Sequence, residues 1–461
     1  MPQPPGTMVP VMNHLSSGQV PQATRTRVIV VLVLGQMLGG LGVGSAVSVG
    51  ALMMAEVSGS PELSGMAVTL STLGAAIASV PLARLAIAKG RGVSLATGSA
   101  LAAVGAATAT IAAAIGETAL LMPGMLVLGV GSAVGFQARF AAADAALPHR
   151  RGLMLSAVMW STTVGAVTGP LLLAPSGGPA RALGLPELTG PFLITIIAQL
   201  LATALYAVML RPDPLEIALL TDAGETRKVE KVEEAEEPAS ASAAVSVTES
   251  AAEPATGTGE ELASAGMRRP EGKAPVIAGQ ATVAVAHFVM VTLMSMAPLH
   301  MTGHHASLSL VGVIMSLHIA GMWALSPVFG WASDRFGSAA TILVGQGLFV
   351  VSAVLIWVSR GDMLFIALSL LALGVGWSAS VVGGSAAVTK ATPQPARAAV
   401  QGRTDLGMNL AGVVGGLTGG PVLVAIGYSG LAAVAMVPVA VIVVTQLTVT
   451  ARRAGTARPR G

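Results

Sequence analysis

Twelve runs of apolar residues, separated by short polar turns, set the pattern of this chain. They lie near 28–54, 63–87, 93–115, 118–143, 152–173 and 190–210, then near 276–299, 307–331, 339–358, 363–389, 404–426 and 429–450. At ~1.5 Å of rise per residue, each is long enough as a helix to cross ~30 Å of hydrocarbon. Two stretches break the pattern. Residues 1–24 are polar and contain proline; 211–274 are rich in Glu, Ala, Ser and Pro with no apolar period. The pattern predicts an all-α membrane protein of twelve transmembrane helices in two six-helix bundles. The bundles span 25–210 and 275–451. Around them lie a disordered N-terminal tail (1–24), a disordered acidic linker (211–274) and a basic C-terminal tail (452–461).

Composition agrees. Mean hydropathy is +0.76, 53% of residues are hydrophobic and 10% are charged, which excludes a soluble domain of this length. The first apolar run is long enough to span and reads as a helix, not as a cleaved signal. The net charge of +3 hides an asymmetry: 211–274 holds 14 acidic and seven basic residues, the rest of the chain eight and 18. With both termini inside, the inner side collects Arg25, Arg27, Lys89, Arg91, Arg150, Arg151, Arg335, Lys390, Arg397, Arg403 and the terminal arginines, while the outer loops hold only Arg181 and Arg360. Positive charge concentrates on the cytoplasmic side of a membrane protein, so the chain is expected in the cytoplasmic membrane with both termini cytoplasmic. The basic residues form an inner-face belt, not a nucleic-acid patch. The acidic run Glu233–Glu237 reads as solvated charge.

The two halves repeat one another. Leu126–Gly131 matches Leu371–Gly376, Val167–Pro170 echoes Thr418–Pro421, and Pro81 aligns with Pro327. Duplicated six-helix halves point to alternating access around a site near the midplane. No ATP-binding glycine loop is present, which excludes a primary pump, and nothing suggests an enzyme or a cofactor. Glycine pairs such as Gly39-Gly40 and Gly415-Gly416 are helix-packing surfaces.

Candidate chemistry sits in 287–322, which holds five of the seven histidines and six of the 22 methionines. His287, Met290, Met294 and Met301 share one helical stripe; Met315, His318 and Met322 share another. His300, Met301, His304 and His305 lie at the turn between them. Cysteine is absent, so methionine and histidine would have to handle any soft metal, and such donors suit monovalent copper. Methionine also fills gaps in packed helices, and a buried histidine also serves as a hydrogen-bonding group. With the 246-residue offset set by Pro81 and Pro327, His318 falls on Thr72, Met322 on Ala76, Met290 on Gly44 and Met294 on Ser48. The first half then has no counterpart donors, so helix packing does not require them. Gln36, Gln137, Trp160, Trp377 and Asn409 are further candidates for the pathway, and Arg139 is expected to pair with Asp144.

Gly330-Trp-Ala-Ser-Asp334-Arg335-Phe-Gly337, between the eighth and ninth spans, resembles the G-x-x-x-D-R-x-G loop of the major facilitator superfamily. The stretch from Arg139 to Asp144, followed by His149–Gly152, is similar to another interior loop of that superfamily. The resemblance implies a secondary transporter in which Gly330, Asp334, Arg335, Gly337, Arg139 and Asp144 serve as a conformational latch. The corresponding first-half loop, Ala88-Lys89-Gly90-Arg91-Gly92, lacks the carboxylate. Within the superfamily, Met290-x-x-x-Met294 and His318-x-x-x-Met322 resemble the M-x-x-x-M and H-x-x-x-M patterns of CcoA-like copper importers. That resemblance implies copper as substrate, with Met290, Met294, His318 and Met322 as its ligands at the central site. From depth along the two helices at ~1.5 Å per residue, His287 and Met315 are expected to be auxiliary, and His300, Met301, His304 and His305 at the outer mouth to collect the ion. The alternatives are a proton-linked exporter of amphipathic drugs or a carrier of a small organic solute such as riboflavin, to which relatives of this branch are linked. A non-transporting sensor is disfavoured by the repeat and the latch. The expected partners are a small substrate or ion and the bilayer, with a monomer as the working unit.

Overall fold

In this computed structural model residues 20–147, 151–221, 273–392 and 397–456 are described. His149, Arg150, the acidic run at 233–237 and the extreme tails lie outside them. Among the described residues every regular element is helical. In the first half these are α1 (Gln22–Ser58), α2 (Met66–Lys89), α3 (Arg91–Ile115), α4 (Thr118–Leu128), α5 (Val130–Ala145), α6 (Arg151–Leu171), α7 (Leu173–Ala182) and α8 (Gly190–Met209). A two-turn helix α9 covers 214–221, inside the stretch that composition assigns to the linker. The second half comprises α10 (Lys273–Gly303), α11 (Leu308–Trp323), α12 (Ser326–Phe336), α13 (Ser338–Ser359), α14 (Met363–Ala391) and α15 (Arg397–Thr456).

Ten stretches of described residues are long and apolar enough to span a bilayer. The last of them contains two passes, because α15 breaks at Gly427, where φ is 72° and ψ 177°. This region is open to glycine alone, and it lets the chain reverse in one residue. With α6 counted as well, the predicted twelve passes are present in two six-helix halves.

Why these helices sit where they do follows from small residues. Within each half, α2 and α11 meet the fourth-pass helices through glycine. Gly74 abuts the carbonyl of Leu126, and Gly321 abuts that of Leu371. Between the halves, α6 packs on α11, α2 on α15 and α1 on α10. At the end away from the termini this seam is tight. Gly416 and Gly420 of α15 meet the backbone of Gly65 and Glu62 in the 3-10 turn Pro61–Gly65, and Gly312 meets the Pro170 carbonyl. Ser316 Oγ donates to Val167 O at 2.7 Å, and Ser64 Oγ to Met296 Sδ at 3.3 Å. Backbone contacts this close seal the seam between α2 and α15 and between α6 and α11 at that far end. At the terminal end the halves are bridged by a looser ion pair, Arg139 Nη2 to Asp405 Oδ2 at 3.7 Å.

Candidate functional site

The seventh pass, α10, places His287, Met290 and Met294 along the seam. Met294 and Ser295 line a cavity of about 20 Å³ with Gly50 of α1 and Ser71 of α2, room for about one water. His287 is on the same face as Met294, two turns toward the terminal end, and is half-buried. Its Nδ1 accepts a hydrogen bond from Trp377 Nε1 of α14 at 3.3 Å. A neutral imidazole that accepts at one nitrogen carries its proton on the other, so His287 presents Nε2–H. In that tautomer it offers a donor, not a lone pair. Trp323 of α11 packs edge-on against Trp377 with ring centroids 5.3 Å apart. Three helices of the second half thus build one aromatic and imidazole wall.

His318 is fully buried and turned the other way, into the second half. Its Nδ1–H donates to the Leu370 carbonyl at 2.7 Å, because a carbonyl can only accept. Its Nε2, which then carries the lone pair, has no hydrogen-bond partner and is sealed from solvent. Met290, Met294, Met301, Met315 and Met322 are all buried and belong to one core cluster with Trp377. However, α10 and α11 make few contacts with one another; each leans on α14 instead. The two sequence stripes therefore flank a third helix and do not face each other. Among the described residues no group of three or more His, Asp or Glu side chains is arranged to hold a metal ion.

Of the turn residues Met301 is buried, His300 half-buried and His304 exposed. His300 stacks on Tyr428 with centroids 4.5 Å apart, and His304 Nδ1 bonds the His300 carbonyl at 3.0 Å. His304 lies against Gly361, and His305 is exposed in the left-handed region at φ 60°.

The structure also corrects the single-offset alignment of the halves. Ser71 Oγ donates to Met125 O at 3.3 Å, and Gly129 abuts Ser71. In the second half His318 donates to Leu370 O, and Gly374 abuts His318. His318 is therefore the counterpart of Ser71, one residue from the expected Thr72. For the seventh pass the shift is larger. Gly165 and Gly169 meet the carbonyls of Met37 and Leu41, while Gly415 and Gly419 meet those of Phe288 and Thr292. In this register His287 corresponds to Gln36, Met290 to Gly39 and Met294 to Val43. Gln36 reaches Gly135 O and Thr162 Oγ1 at 3.1 and 3.2 Å, so the first half keeps a polar side chain at that depth.

Among the latch residues, Asp334 pairs with Lys390 Nζ at 3.4 Å within its own half, and Lys390 also donates to Ser333 O. Arg335 is exposed. Gly337 opens α13 at φ 91°, as Gly90 opens α3 at φ 93°. A Cβ at Gly330 would meet open space. Arg139 does not pair with Asp144. It reaches across to Asp405 from between the rings of Phe136 and Phe140, 5.1 and 5.2 Å away, while Asp144 Oδ2 pairs with Arg91 Nε at 2.9 Å. The bridging Asp405 is marked in the sequence only as a carboxylate that begins the eleventh span, and the wall residue Trp323 carries no distinguishing signal; only the fold brings them to the seam.

Comparison with known proteins places this arrangement. The profile of the Major Facilitator Superfamily matches residues 6–257 and 281–461. Two Bacillus subtilis proteins described as uncharacterized MFS-type transporters, YdeG and YddS, are each 30% identical to the chain. YdeG aligns over 94% of this chain and 95% of its own length, YddS over 91% and 90%. The riboflavin transporter RfnT of Brucella anthropi is 28% identical over 82% of this chain and 84% of its own. Among solved structures, a D-xylose–proton symporter superposes with a TM-score of 0.66 at 16% identity, covering 92% of this chain and 96% of that one. A bacterial homologue of the lysosomal transporter Spinster, inward-facing and occupied, gives 0.64 at 14%, covering 93% and 96%. Fold, duplicated halves and full-length relatives agree: the chain belongs to the major facilitator superfamily and is a membrane transporter, not an enzyme.

Proposed function

We propose that the chain carries a small aromatic organic solute across the cytoplasmic membrane by alternating access, with its termini on the cytoplasmic side. The observation that carries this reading is the wall at His287. Trp377 fixes the imidazole as a donor, Trp323 extends the aromatic surface, and His287 stands on the seam two turns below its sealed part. An aromatic face with one oriented donor suits a planar solute bearing a carbonyl acceptor. The likeness to a riboflavin transporter supports the same class. The concentration of Lys and Arg in the loops of the terminal end supports the orientation.

A second reading, copper import, is supported by one observation: the buried, unpartnered Nε2 of His318, its tautomer fixed by a carbonyl as second-shell groups fix metal-ligating histidines. Buried thioethers of the same core cluster would complete the donor set. The experiment that separates the two is uptake into cells making the wild type, His287→Phe or His318→Ser at matched membrane levels, with riboflavin as the organic probe and copper as the ionic one. Riboflavin uptake lost in His287→Phe and kept in His318→Ser supports the aromatic reading. Copper uptake lost in His318→Ser and kept in His287→Phe supports the ionic one and overturns the first.

A further inference from the structure

The first-half loop Ala88–Gly92 lacks the carboxylate that its second-half counterpart has in Asp334. The fold supplies one from elsewhere. Asp213, just before α9, sets its Oδ2 on the backbone N–H of Gly92 at 2.8 Å, at the unsatisfied start of α3. Its Oδ1 accepts from Leu215 N at 3.0 Å, so the same carboxylate also caps α9. Gly90 lies against this carboxylate, and any side chain there would collide with it. The helix behind Asp213 is anchored: Ile217 is fully buried beside Tyr206 and Leu210, and Thr221 Oγ1 accepts from Arg25 Nη2 at 2.6 Å. Arg25 Nη1 in turn donates to Ala145 O at the end of α5.

The contacts continue to the seam. Arg91, next to the clamped Gly92, pairs with Asp144 of α5 at 2.9 Å, with both side chains largely buried. Arg139, little more than a turn earlier on α5, makes the bridge to Asp405. We propose that Asp213 is a positioning residue of the transport cycle: it stands in for the missing loop carboxylate, fixes the loop that holds Arg91, and through Arg91–Asp144 sets α5 so that Arg139 can engage Asp405. The inference is independent of the cargo, because it concerns how the terminal end closes.

The chain has no cysteine, so a spin-label pair can be placed without background, at the exposed Ala88 and Ala340 on the terminal ends of the two halves. Double electron–electron resonance on the full-length protein reads their separation. In Asp213→Ala the wide-separation population rises by about threefold to tenfold, the effect of losing one hydrogen bond of ordinary net strength. Arg139→Gln gives a rise of similar size, Asp213→Glu restores the wild-type distribution, and Asp213→Ala adds nothing in the Arg139→Gln background. An unchanged distribution in Asp213→Ala, or full additivity with Arg139→Gln, overturns the proposal. If Asp213→Ala does not fold, Asp213→Asn, which keeps one acceptor, reads the same shift at smaller amplitude. A lowered melting temperature with an unmoved distribution assigns Asp213 to stability alone.

Discussion

The two halves share their packing and differ in their chemistry. Ser71 to Met125 and His318 to Leu370 are the same inter-helix hydrogen bond, made by a hydroxyl in one half and an imidazole in the other. The loop-to-helix ion pair at the terminal end also occurs twice, with its polarity reversed: Arg91 to Asp144 in the first half, Asp334 to Lys390 in the second. Where the second half has His287, Met290 and Met294, the first has Gln36, Gly39 and Val43. A duplicated scaffold thus needs a small residue here and a donor there. It does not need histidine, methionine or tryptophan, so those residues in the second half are free to serve the cargo.

Three measurements would break or sharpen that contrast. The largest effect belongs to Gly129→Val and Gly374→Val, which drive a side chain into the backbone of Ser71 and His318 respectively. Each should cost about 1–3 kcal/mol, as overpacking of a close-packed interior does, and thermal unfolding in detergent should show equal losses. A cost confined to one half would mean that the scaffold is not shared.

A smaller effect is expected at His318. An inter-helix hydrogen bond within a membrane is worth about 0.6 kcal/mol, and at most ~1.7. His318→Ala should lose that much, whereas His318→Ser, which copies the first half, should recover most of it. Equal losses in the two variants would show that the imidazole ring, not the donor, supports the packing.

The smallest effect concerns the reversed ion pairs. Asp334 and Lys390 are mostly exposed, at 81% and 53%, so their coupling in a double-mutant cycle should be within the ~0–1 kcal/mol of a surface pair. Arg91 and Asp144, at 19% and 24%, should couple more strongly. Exchanging Asp334 and Lys390 to copy the polarity of the first half should leave stability almost unchanged.

The twelve passes were legible because a bilayer demands long apolar helices, and that demand is written in composition and period. The halves were legible because turn and packing glycines recur. What stayed hidden was partnership. A helical stripe shows which residues share a face, but not which helix that face meets. Helices α10 and α11 are neighbours in sequence, yet they barely touch and both pack on α14, so His318 bonds Leu370 and His287 bonds Trp377. One proline pair could not register every helix either, since intervening turns differ in length between the halves; it misplaced the counterparts of Met290 and Met294 by five residues. Asp213 lay in a segment whose composition signalled only a linker, and its role depends on a backbone N–H that no side-chain pattern reveals.

Gly427 turns the eleventh pass into the twelfth within one residue, and the corner is pinned to α10 because Tyr428 donates to Leu293 O at 3.1 Å and stacks on His300. Gly416 and Gly420, which close the seam at the far end, lie on the arm leading into that corner. Mechanically the two passes are a bent lever on a stiff elbow: the inner arm cannot leave Glu62 and Gly65 without swinging the outer arm through the surrounding lipid. The far-end contacts of Gly416 and Gly420 are thus tied, through one corner, to a helix whose Val437, Val441 and Val444 are exposed on the outside of the bundle.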